Sequence, residues 1–162
     1  MLAIVWHSRT GASEALARAA QAGARDAAPD YPAGLIPAAD ATPELLLAAA
    51  GYIFACPENL GSMSGAMKEM FDRCYYPLLG QVGGRPYATL IAAGSDGHGA
   101  EAQLDRIVTG WRLRRVAPSV IVNLAAQTPE AILAPKVPPP AALASARDLG
   151  AALASGLAMG AF

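Results

Sequence analysis

Short continuous apolar runs alternate along the chain with segments of helical periodicity, and that alternation predicts a parallel sheet layered with helices. Leu2-Ala-Ile-Val-Trp6 is an uninterrupted apolar run, the pattern of a strand covered on both faces. After polar His7 to Ser13, apolar Leu16, Ala19, Ala20 and Gly23 recur at helical spacing while Arg18, Gln21 and Arg25 fall elsewhere. Gly34 to Pro37 is a weak second strand, and Thr42-Pro43 places an N-cap and an N1 proline before a helical run from Glu44 to Ala50. Tyr52 to Cys56 predicts a third strand, ended by Pro57. A helix then starts near Ser64 and carries Met67, Met70, Phe71 and Cys74 at i, i+3, i+4 and i+7.

Tyr75 to Arg85, with Pro77, Gly80, Gly83 and Gly84, reads as a turn-rich connection, and Tyr87 to Ala93 as a fourth strand. The next helix is predicted over about Glu101 to Arg115. Its buried face is Leu104, Ile107, Val108 and Trp111, and Arg112, Arg114 and Arg115 form a solvated C-terminal cluster that the helix dipole favours. Ser119 to Asn123 is a fifth strand. Ala125 to Pro140 is expected to be irregular and on the surface, because Pro135 and Pro138 to Pro140 oppose regular structure. Ala141 to about Leu157 is the last helix, pointing Leu143, Leu149, Leu153 and Leu157 inward. Its Ala- and Gly-rich tail suits close packing on a sheet. Five strands alternating with helices imply a three-layer α/β/α sandwich with right-handed crossovers, one domain over residues 1–162 and no internal repeat.

Composition narrows the partners. The chain has 162 residues, 54% hydrophobic and 15% charged, enough apolar side chain for a sizeable core. Twelve Lys+Arg against thirteen Asp+Glu give a net charge of -1, which predicts neither a nucleic-acid nor an anionic-membrane partner. Leu45 to Cys56, the longest uncharged apolar stretch, falls short of the ~20 residues needed to span a bilayer. Cys56 and Cys74 form no CxxC pair and have no His or Cys cluster around them, so no metal site is predicted and a reducing compartment fits. Met1 to Trp6 lacks a basic region and its apolar run stops at His7; a cytoplasmic location is the expectation.

In a sheet of this kind ligands bind beyond the carboxyl ends of the strands, where strand order reverses. Three loops qualify. The first, Ser8-Arg9-Thr10-Gly11-Ala12-Ser13, presents three hydroxyls where a strand turns into a helix N-terminus. Free N–H groups, the positive end of the dipole and a glycine that lets the backbone approach are the chemistry of a phosphate site. The plainer reading is an ordinary helix start with Ser13 as N-cap. GxxxxGK[ST] and GxGxxG are both absent, and the loop holds no cysteine, so P-loop hydrolase, dinucleotide fold and cysteine phosphatase drop out. The second loop, Pro57-Glu58-Asn59-Leu60-Gly61-Ser62-Met63, mixes apolar and hydrogen-bonding groups. The third is Gly94-Ser95-Asp96-Gly97-His98-Gly99.

Ser8-x-Thr-Gly-x-Ser13 resembles the flavodoxin-type loop that binds the phosphate of FMN. Pro57-x-x-x-Gly-Ser-Met-Ser-Gly-x-x-Lys68, continuing to Asp72-Arg73, resembles the corresponding segment of NAD(P)H-dependent flavin and quinone reductases. The resemblance implies a flavodoxin-like sheet of five parallel strands in the order 2-1-3-4-5. It implies Ser8 to Ser13 around the FMN phosphate, Pro57 to Met63 at the isoalloxazine, with Leu60 and Met63 on its face, and Gly94 to Gly99 on the other side. Gly97 and Gly99 would permit close approach. His98 is the candidate catalytic residue, a proton donor to a reduced quinone or a wall for the nicotinamide. Lys68 and Asp72 are expected to form an ion pair, His7 to support the phosphate turn, and Cys56 to pack in the core.

The implied function is an FMN-binding oxidoreductase that takes electrons from NADH or NADPH and passes them through flavin N5 to a quinone, free flavin or similar small acceptor, working as a homodimer. The alternative is an electron carrier of the same fold that never meets nicotinamide. Carrier flavodoxins are strongly acidic and stack aromatics on the ring; a charge of -1 and a second loop without aromatics depart from them.

Overall fold

The computed structural model describes residues 1–162. In chain order the elements are β1 (Leu2–Trp6), α1 (Ala12–Ala27), β2 (Ala33–Pro37), α2 (Pro43–Leu47), β3 (Gly51–Asn59), β4 (Ser62–Met63), α3 (Gly65–Leu78), β5 (Pro86–Ala93), α4 (His98–Gly110), β6 (Arg114–Arg115), β7 (Val120–Asn123), α5 (Pro129–Leu133) and α6 (Pro140–Ala158). The fold is flavodoxin-like. Strands run β2-β1-β3-β5, all parallel, and the far edge of β5 is shared by β6 at its start and β7 at its end. With β7 as the predicted fifth strand, the expected 2-1-3-4-5 order is the one observed, with β4 and β6 as additions.

Alternation along each strand divides the interior in two. Ala3, Val5, Tyr52, Phe54, Cys56 and Ile91 face α2, α3 and α4, where Met67, Met70, Phe71 and Trp111 complete an interior rich in aromatic and methionine side chains. Leu2, Ile4, Ile53, Ala55, Leu90 and Ala92 face α1 and α6, where Ala17, Ala20, Ala24, Ala146 and Ala154 keep the layer thin. The predicted Ala/Gly-rich helix does lie on the sheet, but its tightest approach is to α1. A methyl group on Gly150 would fall 1.9 Å from the Ala20 carbonyl oxygen, and one on Gly23 would fall 2.0 Å from that of Arg147.

Four expectations need correction. β3 does not stop at Pro57 but continues to Asn59. β1 has ended opposite Ala55, so the missing N–H of Pro57 leaves no ladder bond unmade. α3 runs through Pro77 to Leu78, whose buried side chain anchors the last turn. α4 starts at His98 and stops at Gly110. Arg112 is left-handed (φ 58) and Arg114–Arg115 pairs with Pro86–Tyr87 as β6. The arginine cluster is thus no solvated helix end: Arg115 lies over the Tyr87 ring, pairs with Asp105, and donates to Ser119 Oγ at 2.7 Å. Finally, the segment after β7 holds a short helix, α5, with Thr128 as N-cap and Pro129 at N1. No helix is long and apolar enough to cross a membrane.

Candidate functional site

The carboxyl ends of β1, β3 and β5 meet in one cleft. Its base is the turn from β1 into α1. Gly11 takes φ +100, a conformation other residues reach only with strain, and serves as the N-cap without a side-chain hydrogen bond to the helix. Ser8 Oγ accepts the Gly11 N–H at 3.0 Å, which leaves its own O–H free to donate. The first N–H groups of α1 have no intrahelical acceptor. Ser13 is therefore not the N-cap but stands inside the first turn. It is 1% exposed, lines the cleft, and its hydroxyl has no partner. One other buried side-chain atom, Trp6 Nε1, is unpartnered, and it does not line the cleft. Burying a hydroxyl unpaired costs about 1–3 kcal/mol. An uncapped helix start, an orphan hydroxyl and a left-handed glycine form a donor set that fits an oxyanion such as phosphate.

The second wall is a hairpin. Beyond Pro57 the chain folds back so that Glu58 pairs with Met63 and Asn59 with Ser62. Leu60 (φ 54) and Gly61 (φ 71) are both left-handed, the signature of a type I′ turn, and Leu60 holds that strained conformation fully exposed. Glu58 fixes the hairpin to α4: its carboxylate accepts the N–H groups of Gly97 at 2.9 Å and Ala100 at 3.1 Å. Met63 N–H donates to Gln103 Oε1 at 2.9 Å. Ser64, the N-cap of α3, lies with its Oγ 2.9 Å from His7 Nδ1, which joins the first loop to the second.

Of the predicted residues, Ser8, Arg9, Thr10, Ala12, Ser13, Pro57, Glu58, Asn59 and Gly94 line the cleft, and Leu60, Gly61 and Ser95 line its outer recess. Gly11 shapes the turn behind them. Ser62, Met63, Asp96, Gly97, His98 and Gly99 line neither. Met63 is buried beneath the hairpin rather than presented to a ligand. Gly97 and Gly99 permit close approach to protein: methyl groups there would fall 2.4 Å from Ile121 Cγ2 and 2.1 Å from the Gly61 carbonyl oxygen. His98 opens α4 with its side chain largely in solvent and Nδ1 3.1 Å from Glu101 Oε2. That hydrogen bond raises its pKa and ties the ring to the start of the helix, outside the cleft.

The missed part is the wall supplied after β7. Leu124, Ala126, Ile132 and Lys136 all line the cleft. The stretch returns over the first loop, with Ala126 N–H donating to the Gly94 carbonyl at 2.9 Å and Lys136 N–H to the Thr10 carbonyl at 2.7 Å. The one sequence signal was Lys136 itself, a cation between prolines in a nearly uncharged stretch. Lys68 and Asp72 form the expected exposed pair.

Two side chains near the cleft are held neutral. Burial pushes the Cys56 thiol up to about 12, which makes it packing rather than a nucleophile. Burial first, then Arg9, lowers the pKa of His7 below its ordinary 6.5. His7 is accordingly expected to be uncharged at pH 7. Since the unfolded chain takes up this proton first, its contribution to stability is complete above pH 6.5 and falls as pH drops toward the folded value. An NMR titration of the imidazole checks this, and a midpoint at or above 6.5 would show that the ring is not desolvated.

Comparison with known proteins agrees with the fold. A flavodoxin from the domain Archaea is 17% identical with a TM-score of 0.77, covering 98% of this chain and 99% of that one. The flavodoxin, WrbA-like protein from Agrobacterium tumefaciens is 19% identical at TM-score 0.75, covering 98% and 97%. Two-electron reduced Megasphaera elsdenii flavodoxin is 18% identical at TM-score 0.67, covering 95% and 98%. At these identities the likeness is one of fold. No curated protein matches the sequence. The family described as NADPH-dependent FMN reductase matches residues 16–128, well over half of the sequence, and the chain belongs to that family.

Proposed function

We propose that the cleft holds FMN and that the protein passes electrons from NADH or NADPH to a quinone, a free flavin or a similar small acceptor. The observation that carries the reading is Ser13 Oγ, buried without a partner at the uncapped start of α1 and facing the cleft. Family membership supports a flavin-binding oxidoreductase, and its description supports a nicotinamide donor. When bound, the flavin would supply the redox chemistry between the nicotinamide donor and the acceptor.

The chain's residues bind and orient. Thr10, Ser13 and the first N–H groups of α1 donate to the phosphate, with Ser8 free to add a third hydroxyl. Pro57 and Asn59 hold one side of the ring, with Leu60 and Gly61 at its outer edge. Gly94 and Ser95 close the opposite side. No side-chain acid or base is required, in keeping with a cleft from which His98 is absent. We extend the reading to one FMN-binding domain over residues 1–162 in the cytoplasm, where two buried free cysteines stay reduced. Exposed Leu60 and Ile132 at the mouth support a homodimer whose second copy covers them.

Anaerobic titration of FMN-loaded protein with NADH and NADPH tests the donor. Rapid bleaching of the visible flavin absorption by one of them is expected and identifies the preferred nicotinamide. A flavin untouched by either yet reduced by a redox protein would replace this reading with that of an electron carrier.

A further inference from the structure

We infer that Lys136, carried over the first loop by the stretch after β7, is a ligand of the anion held there and sets the site's preference for phosphorylated over unphosphorylated flavin. The inference rests on the FMN reading above and adds to it a residue from a part of the chain outside the three loops.

Main-chain contacts place it. Lys136 N–H donates to the Thr10 carbonyl at 2.7 Å, and its own carbonyl oxygen lies 3.3 Å from where a methyl group on Gly11 would stand. Residue 136 is thus docked on two consecutive residues of the turn and lines the same cleft as Ser13. The ammonium has no carboxylate partner. It rests on neutral carbonyls at the end of α5: those of Ala131, Ile132 at 3.3 Å and Ala134 at 2.7 Å. A five-residue helix has little dipole to hold it there, and a charge-assisted bond to a phosphate oxygen is the stronger alternative.

Charge balance points the same way. Arg9 lines the cleft and is likewise in no ion pair, and the carboxylate at the border, Glu58, is engaged by the N–H groups of α4. Lys136 and Arg9 bring two positive charges to the cleft that Ser13 lines against one negative charge on Glu58, a positive surplus that favours a phosphate monoester over an uncharged ligand. Riboflavin offers them nothing.

The test is fluorescence titration of the full chain and its Lys136→Gln and Lys136→Arg variants with FMN and with riboflavin, alongside the ligand-free thermal midpoint. The wild type is expected to prefer FMN. Lys136→Gln is expected to lose about tenfold in FMN affinity with riboflavin unchanged, and Lys136→Arg to keep most of the preference. Inorganic phosphate should compete with FMN, and less well in Lys136→Gln. A wild type that binds both flavins equally would overturn the FMN reading, and this inference with it. A wild type that prefers FMN while Lys136→Gln keeps the full preference would overturn the role of Lys136 alone. Equal loss for both flavins, or a large fall in midpoint, would make the stretch a structural brace and overturn it too.

Discussion

Replacing Thr10 and Ser13 together with alanine is expected to weaken FMN binding about a hundredfold while leaving riboflavin within about twofold. Each hydroxyl removed costs one hydrogen bond to a charged acceptor, about 1.5–3 kcal/mol, and two of them multiply in the dissociation constant. Riboflavin lacks the phosphate and so does not register the loss. The single variant Ser13→Ala carries a second, opposite expectation for the ligand-free protein. Its hydroxyl is buried with no partner, so removing it should relieve about 1 kcal/mol and raise the thermal midpoint by about 3 °C. Affinity falls while stability rises, a combination that packing damage does not produce. Equal loss for both flavins would reject a phosphate at this turn. A lower midpoint would show that the hydroxyl is satisfied within the ligand-free fold.

The second large effect lies away from the cleft. Gly150→Ala is expected to destabilise the protein by about 3 kcal/mol, seen as a fall of roughly 9 °C in midpoint. The added methyl would stand 1.9 Å from the Ala20 carbonyl oxygen and 2.6 Å from its carbon, both main-chain atoms inside α1 that cannot turn aside. Relief comes only by moving α1 and α6 apart, which opens gaps beneath Leu149 and Leu153. Gly65→Ala is the control. It opens α3 with nothing within 4 Å of the new methyl and without a positive φ, so the same change should stabilise by about 0.5 kcal/mol through the unfolded chain. Similar effects at both sites would mean that helix crowding is not what Gly150 reports.

Most of the layered fold was legible because the strands are apolar on both faces and the helices carry clear periodicity. Leu2–Trp6 and Tyr87–Ala93 read as buried strands from their own residues, and Thr42-Pro43 announced its helix. Where the reading went astray, distant parts of the chain decided. Nothing local shows that β1 ends opposite Ala55 and so lets β3 run through Pro57. Arg114 and Arg115 look like a helix end until the edge of β5 claims them. The turn at the start of α1 was visible in its hydroxyls and glycine, though not which hydroxyl would be left unpaired. Glu58 lines the cleft as expected, but its carboxylate also caps α4, because a carboxylate in hydrogen-bond reach of two N–H groups is drawn to them. The glycines of the third loop could not disclose that protein atoms would fill the space beside them.

The unequal interiors on the two faces of the sheet have a consequence for how this sequence can change. Methionines and aromatic rings fill the face under α3 and α4, and flexible side chains such as Met67 and Met70 can repack around a neighbour of different shape. Under α1 and α6 the backbones nearly touch, and at Gly23 and Gly150 even a methyl group would meet main-chain atoms of the facing helix. Drift, recombination and directed evolution should therefore find accepted substitutions mostly on the first face. The second admits few, because those two glycines leave no space for a larger residue. Because α1 begins at the turn proposed to bind the phosphate, the half of the molecule that positions that turn is the half least free to vary.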